Sequence, residues 1–223
     1  MTSNQLKILA LLAMTCDHVG KQLLPQYPIL QIIGRLAFPI FAYMIAEGCR
    51  YTKNRKKYLL TIAIEALICQ LVYAIAMGSL YQCVLVTFSL SIGVIYVLDN
   101  AGNKKTVVAY IGAAMMFLGI CFVCIGLPQL LRNTDFAIDY GLWGVLLPVA
   151  IYFGRTKMEK LLLMGILLFP IAWSIGGIQW YAFAALLLQA FYHGRRGKWK
   201  MKNLFYIYYP LHLVCIYLIG VVW

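Results

Sequence analysis

At 223 residues, 63% hydrophobic and 12% charged, with a mean hydropathy of +0.82, the chain is too apolar for a soluble globular domain, where about a quarter of residues are charged. A formal charge of +12 would suit nucleic acid only on a soluble module with a basic face or a binding motif, and the chain has neither. Composition therefore excludes a soluble enzyme and a nucleic-acid binder. It predicts an all-α polytopic membrane protein surrounded by lipid.

Segments of about 20 apolar residues fall at 5–24, 28–48, 58–77, 79–98, 106–131, 140–154, 161–175, 177–192 and 204–222. This gives about nine transmembrane helices, or ten if one is split or re-entrant, in a single integral-membrane domain over 1–223. The first segment has Lys7 ahead of an apolar run, as a signal peptide does. Asp17, His18 and Lys21 stand where a small-residue cleavage site would be, so an uncleaved first span is expected.

The basic residues collect in every second loop: Arg50, Lys53, Arg55, Lys56 and Lys57; Lys104 and Lys105; Arg155, Lys157 and Lys160; Arg195, Arg196, Lys198, Lys200 and Lys202. Because positive loops stay in the cytoplasm, the amino terminus is expected inside and the carboxyl terminus outside. A single helix over 161–192 would reach about 48 Å and strand the last basic loop outside. Two short helices hinged at Gly176 and Gly177 fit better. Cys121 and Cys124 have a redox-like spacing, but on a predicted helix they read as packing residues.

Ionisable groups inside a membrane helix are unfavourable and mark function or pairing. Asp17 and His18 lie about two thirds of the way along the first span, and Arg35 about one third into the returning second. His212 follows Pro210 near the middle of the last span, and Asp139 opens the sixth from outside. These depths allow five groups, Asp17, His18, Arg35, Asp139 and His212, to converge on one cavity.

Adjacent helical residues point about 100° apart, so Asp17 is poorly placed to orient His18. Its local partner is Lys21 at i,i+4, with Arg35 as rival. His18 then needs Asp139, His212 or Tyr209. Two readings stay open: an ion pair pinning helices beside a core histidine, or a tuned histidine acting as general base. Pro39 should kink the second span beside Arg35, and Glu47 and Glu65 should pair with Arg50 or the 53–57 cluster. The basic loops 50–57 and 195–202 suit a phosphorylated donor, with Arg50, Arg55, Lys56, Arg195 and Arg196 as its contacts. They equally suit orientation and lipid headgroups. No phosphate-binding glycine loop is present, and no metal site is expected.

The runs LKILALLAMTCDHVG at 6–20, IGRLAFPIFAYMIAEG at 33–48 with KNRKKYLL at 53–60, VTFSLSIG at 86–93, DYGLWGVLLP at 139–148 and LFYIYYPLHL at 204–213 together resemble the TraX family over essentially the whole chain. Members are described as acetylating pilin amino termini in conjugation systems, although many have no pilus partner. The family is similar to wider transmembrane acyltransferases, including bacterial polysaccharide O-acetyltransferases and lysosomal heparan-glucosaminide acetyltransferase, which take acetyl from cytosolic acetyl-CoA.

The resemblance implies a multi-pass protein of the bacterial cytoplasmic (inner) membrane. It further implies acetyl-CoA as co-substrate, His18 matching a first-helix histidine and His212 a late-helix one. On that basis His18 is expected to act as general base, or less readily to be acetylated itself, with Arg35 stabilising the developing oxyanion. The acceptor stays open among a pilin amino terminus, a glycan, a lipid and a small molecule. The rivals are a transporter or flippase with an Asp-His-Arg relay, against which the absence of an internal repeat argues, and a non-catalytic pilus or secretion assembly protein.

Overall fold

The computed structural model describes residues 1–195, 197 and 202–222. Helix makes up 81% of the structure, with no strand among the described residues. In order the elements are α1 (Ser3–Gln22), α2 (Pro28–Gly34), α3 (Ala37–Tyr51), α4 (Arg55–Met77), α5 (Val84–Lys104), α6 (Val107–Cys121), a π turn (Phe122–Gly126), α7 (Leu127–Leu130), α8 (Gly141–Phe153), α9 (Lys157–Ile175), a 3-10 segment (Gly177–Phe183), α10 (Ala184–Ala190) and α11 (Lys202–Val222). Each apolar segment read from the sequence overlaps one of these helices or a consecutive run of them, with 79–98 displaced onto α5 and 106–131 covering α6, the π turn and α7.

Five stretches are long and apolar enough to cross a membrane: Pro28–Tyr51, Arg55–Ala76, Val84–Lys104, Val107–Leu130 and Lys157–Ile175. Gly141–Phe153 and Ile207–Gly220 are shorter apolar helices. Helix α1 is long enough but carries Lys7, Asp17, His18 and Lys21, and it does not join that group.

Local chemistry sets the boundaries. Thr2 caps α1 with Gln5 returning to the Thr2 N–H at 2.8 Å, a capping box. Asn54, Thr106 and Thr156 accept from the first-turn N–H groups of Lys57, Ala109 and Glu159. Proline explains the breaks. Pro39 has no N–H, and its ring would meet the carbonyl of Arg35, four residues back. The chain accordingly leaves the α-helix at Arg35 and Leu36, where the Leu36 N–H donates to Ile33 at 3.2 Å. Pro128 has the same conflict with Cys124, and there the helix widens into the π turn, closed by the Leu127 N–H on Phe122. Gly176 (φ 74°) and Gly177 (φ 53°) adopt left-handed backbone between α9 and the 3-10 segment.

The chain packs as two compact units, Met1–Met44 with Thr156–Trp223, and Ile45–Arg155. In the first, α2 lies so close to α1 that a Cβ on Gly34 would stand 2.3 Å from Asp17 Cβ, and one on Gly20 would stand 2.8 Å from Leu30 Cβ. Helix α11 runs parallel to α1, with Thr15 facing Tyr208 and His18 facing His212. The Ser3 N–H donates to Arg195 at 3.0 Å and the His193 N–H to Met1 at 3.1 Å, fastening the amino terminus to the segment after α10.

In the second unit α5 packs against α4, α6 and α8. The turns at its two ends are tied separately. The Gln82 N–H donates to Ala137 at 2.8 Å and the Asp139 N–H to Gln82 at 3.1 Å. Asp135 accepts from the Ser79 hydroxyl and from the Leu80 N–H, which hold its carboxyl below the ordinary range. At the other end Arg55 pairs with Asp99 at 2.6 Å.

Candidate functional site

Helix α1 presents Asp17 toward α2, and the absence of a side chain on Gly34 lets the carboxylate reach Arg35. One oxygen pairs with the Arg35 guanidinium and the other with Lys21 Nζ at 2.7 Å. The local partner and its rival thus hold the carboxylate together. Arg35 is 7% exposed and Asp17 9%. Arg35 also donates through Nε to the Gln31 carbonyl at 3.2 Å and through Nη1 to Gln179 Oε1 at 3.1 Å. Its planar fork is shared by α1, α2 and the 3-10 segment, a geometry that a lysine point charge does not reproduce.

His18 faces α11. Its Nδ1 lies 2.8 Å from His212 Nε2, while His212 Nδ1 lies 3.0 Å from the Tyr208 carbonyl oxygen. A carbonyl only accepts, so His212 Nδ1 carries a proton and, in the neutral ring, His212 Nε2 is the acceptor. His18 must then donate through Nδ1, and its Nε2 keeps a lone pair. Tyr208 stacks on His212 (centroids 5.4 Å apart) and Tyr209 meets it edge-on at 5.3 Å. The Tyr208 hydroxyl meets Thr15 Oγ1 at 2.7 Å. These contacts fix the rings, and of the three expected partners for His18, His212 is the one bonded.

The structure therefore brings together Asp17, His18, Arg35 and His212 in the first unit. Asp139 belongs to the second, where it accepts from the Tyr81 hydroxyl at 2.7 Å and its carbonyl accepts from Thr87 at 2.8 Å. Arg50 donates to the carbonyls of Tyr152 and Gly154 at the end of α8, and Arg55 is engaged with Asp99. Lys56 and Arg195 are exposed. Arg196 lies outside the described residues. Glu47 is buried, and Glu65 makes no ion pair among the described residues. No group of three or more His, Cys, Asp or Glu among the described residues could hold a metal ion.

Gln179 went unread in the sequence. It is fully buried, and its amide oxygen completes the Arg35 network. A neutral residue in the run GIQWYAF carries no charge or periodicity signal. Only its position two residues after Gly177 of the hinge sets it apart.

A family model described as TraX protein matches residues 2–220. The chain belongs to the TraX family. Among curated proteins it is similar to a probable fimbrial assembly protein, FimC of serogroup H1, from Dichelobacter nodosus, with 27% identity over 95% of this chain and 93% of that protein. It is also similar to an uncharacterized protein of Rickettsia prowazekii, with 53% identity over 38 residues, or 17% of this chain and 15% of that one. No solved structure matches significantly.

Proposed function

We propose that this TraX-family chain is a transmembrane acetyltransferase of the bacterial cytoplasmic membrane, moving acetyl from cytosolic acetyl-CoA to an amine or hydroxyl on the outer side. The observation that carries the reading is the oriented histidine pair: His18 donates through Nδ1 to His212, which is itself held by the Tyr208 carbonyl, leaving His18 Nε2 as a directed base. A fixed tautomer with a free ring nitrogen is what general-base chemistry requires.

In this mechanism the acceptor N–H or O–H loses its proton to His18 Nε2 as its heteroatom attacks the thioester carbonyl. The tetrahedral intermediate expels the CoA thiolate, and His18 returns the proton to that sulfur. One C–S bond breaks and one C–N or C–O bond forms, without oxidation. The imidazolium formed in transit keeps its Nδ1 hydrogen bond to His212. Asp17 and Arg35 hold α1 against α2, and the basic loops read as cytoplasmic attract the donor's phosphates. The relative's description as a fimbrial assembly protein, with the acetylation of pilin amino termini that the family resemblance implies, makes a pilin-type α-amine the first acceptor to test.

The test uses purified protein in proteoliposomes, labelled acetyl-CoA on the cytoplasmic side and an α-amino peptide on the other, with CoA release and peptide acetylation followed. Wild-type protein transfers label, and His18→Ala, folded by thermal unfolding in detergent, transfers about 10²- to 10⁴-fold more slowly. Undiminished turnover by His18→Ala overturns its role. Failure of the wild type with amine, glycan and lipid acceptors alike overturns the acetyltransferase reading.

A further inference from the structure

Gln179 is 0% exposed, and its two amide atoms have different fates. Arg35 has only donors, so the Gln179 oxygen turns toward Arg35 Nη1, at 3.1 Å. The Nε2 amine is thereby directed away from the guanidinium and finds no acceptor among the described residues. A buried amine donor without a partner is unfavourable, and such groups in folded proteins ordinarily meet protein, water or ligand. The backbone leaves little freedom to relieve it, because the Gln179 N–H is fastened to Gly176 at 3.1 Å in the first turn of the 3-10 segment. Gln189 is also buried with its amide unpaired among the described residues, and no hydrogen bond among them ties it to the Asp17–Arg35 network.

The position of this donor gives it a role. Arg35 already donates through Nε, Nη1 and Nη2 to Gln31, Gln179 and Asp17. Among the described residues, Gln179 Nε2 is an amide donor on this network that lacks an acceptor. A single guanidinium links it to Asp17, the residue before His18. Acyl transfer builds negative charge on the carbonyl oxygen, and a preorganised donor in a dry site is most valuable there. Resting on the acetyltransferase reading, we propose that Gln179 Nε2 is the hydrogen-bond donor to the thioester carbonyl oxygen in the transition state, and that Arg35 orients the Gln179 amide for that role.

Gln179→Glu separates this role from a structural one. A carboxylate still accepts from Arg35, and its charge is balanced locally because Asp17 faces both Lys21 and Arg35, but it has no N–H to donate. Gln179→Met keeps the bulk and removes both functions. In the proteoliposome assay both variants are expected to lose about 10²- to 10³-fold in kcat, with KM for acetyl-CoA nearly unchanged and Gln179→Glu unfolding thermally as the wild type does. Wild-type kcat in Gln179→Glu overturns the inference while leaving the acetyltransferase reading intact, and so does a raised KM at unchanged kcat. Absence of transfer by the wild type overturns both.

Discussion

The histidine pair has a spectroscopic consequence that does not depend on any acceptor. Because the Tyr208 carbonyl and the His18–His212 bond fix the proton order, both neutral rings carry hydrogen on Nδ1, the tautomer that free histidine populates less. The chain has three histidines, and His193→Asn leaves these two. Nitrogen NMR of that variant, labelled at histidine and held above the titration range, is expected to show two Nδ1–H rings. An Nε2–H ring at either position overturns the proton order and with it the basic nitrogen assigned to His18. Depth arguments on the sequence could bring His18 and His212 to one level, but the direction of the proton depends on a backbone carbonyl and two ring orientations. Asp17 was more legible, since i,i+4 spacing points directly to Lys21 and the 2.7 Å contact follows.

At the scale of elements, the site depends on how closely α1 and α2 approach. A Cβ on Gly34 would stand 2.3 Å from Asp17 Cβ and 2.8 Å from Asp17 Cα, so backbone rather than a flexible side-chain tip would have to move. Gly34→Ala is expected to destabilise the protein by about 1–3 kcal/mol and to pull Asp17 away from Arg35. Gly112→Ala in α6 has nothing within 4 Å of the new methyl, and its better helix propensity makes it neutral or stabilising by up to about 1 kcal/mol. Thermal unfolding of both variants in one detergent checks this, and wild-type stability of Gly34→Ala would refute the close approach. The hinge at Gly176 and Gly177 and the break ahead of Pro39 were legible because each follows from the chemistry of one residue. The start of α9 was not, since Lys157 and Lys160 look like loop charges. In the fold Thr156 caps the helix there, and Lys160 is buried with its ammonium 5.6 Å from the Tyr43 ring centroid.

In each unit taken by itself, hydrogen bonds join turns that the alternation of basic loops puts on one side. In the second unit the turns near Ser79 and Asp135 are tied to each other, while Arg50 and Arg55 engage Gly154 and Asp99 at the opposite ends of those helices. In the first, the amino terminus is tied to His193 and Arg195. The exposed cations Lys53, Lys56, Lys57, Lys104 and Lys105 all lie in or next to the loops at the Arg55 and Asp99 end of the second unit, and Arg195 lies beside the amino terminus. On the positive-inside bias these loops are expected in the cytoplasm and the 78–83 and 131–140 turns outside. Single cysteines introduced into a variant lacking the exposed Cys215 test each assignment with a membrane-impermeant maleimide. Asn133→Cys is expected to react in intact cells, and Lys104→Cys and Arg195→Cys only after the membrane is opened. Labelling of Lys104→Cys or Arg195→Cys in intact cells, or protection of Asn133→Cys there, would reverse the orientation. The reversal would also be fatal to a donor reaching His18 from the cytoplasmic side, because the basic loops that attract its phosphates would face away from the pool of acetyl-CoA.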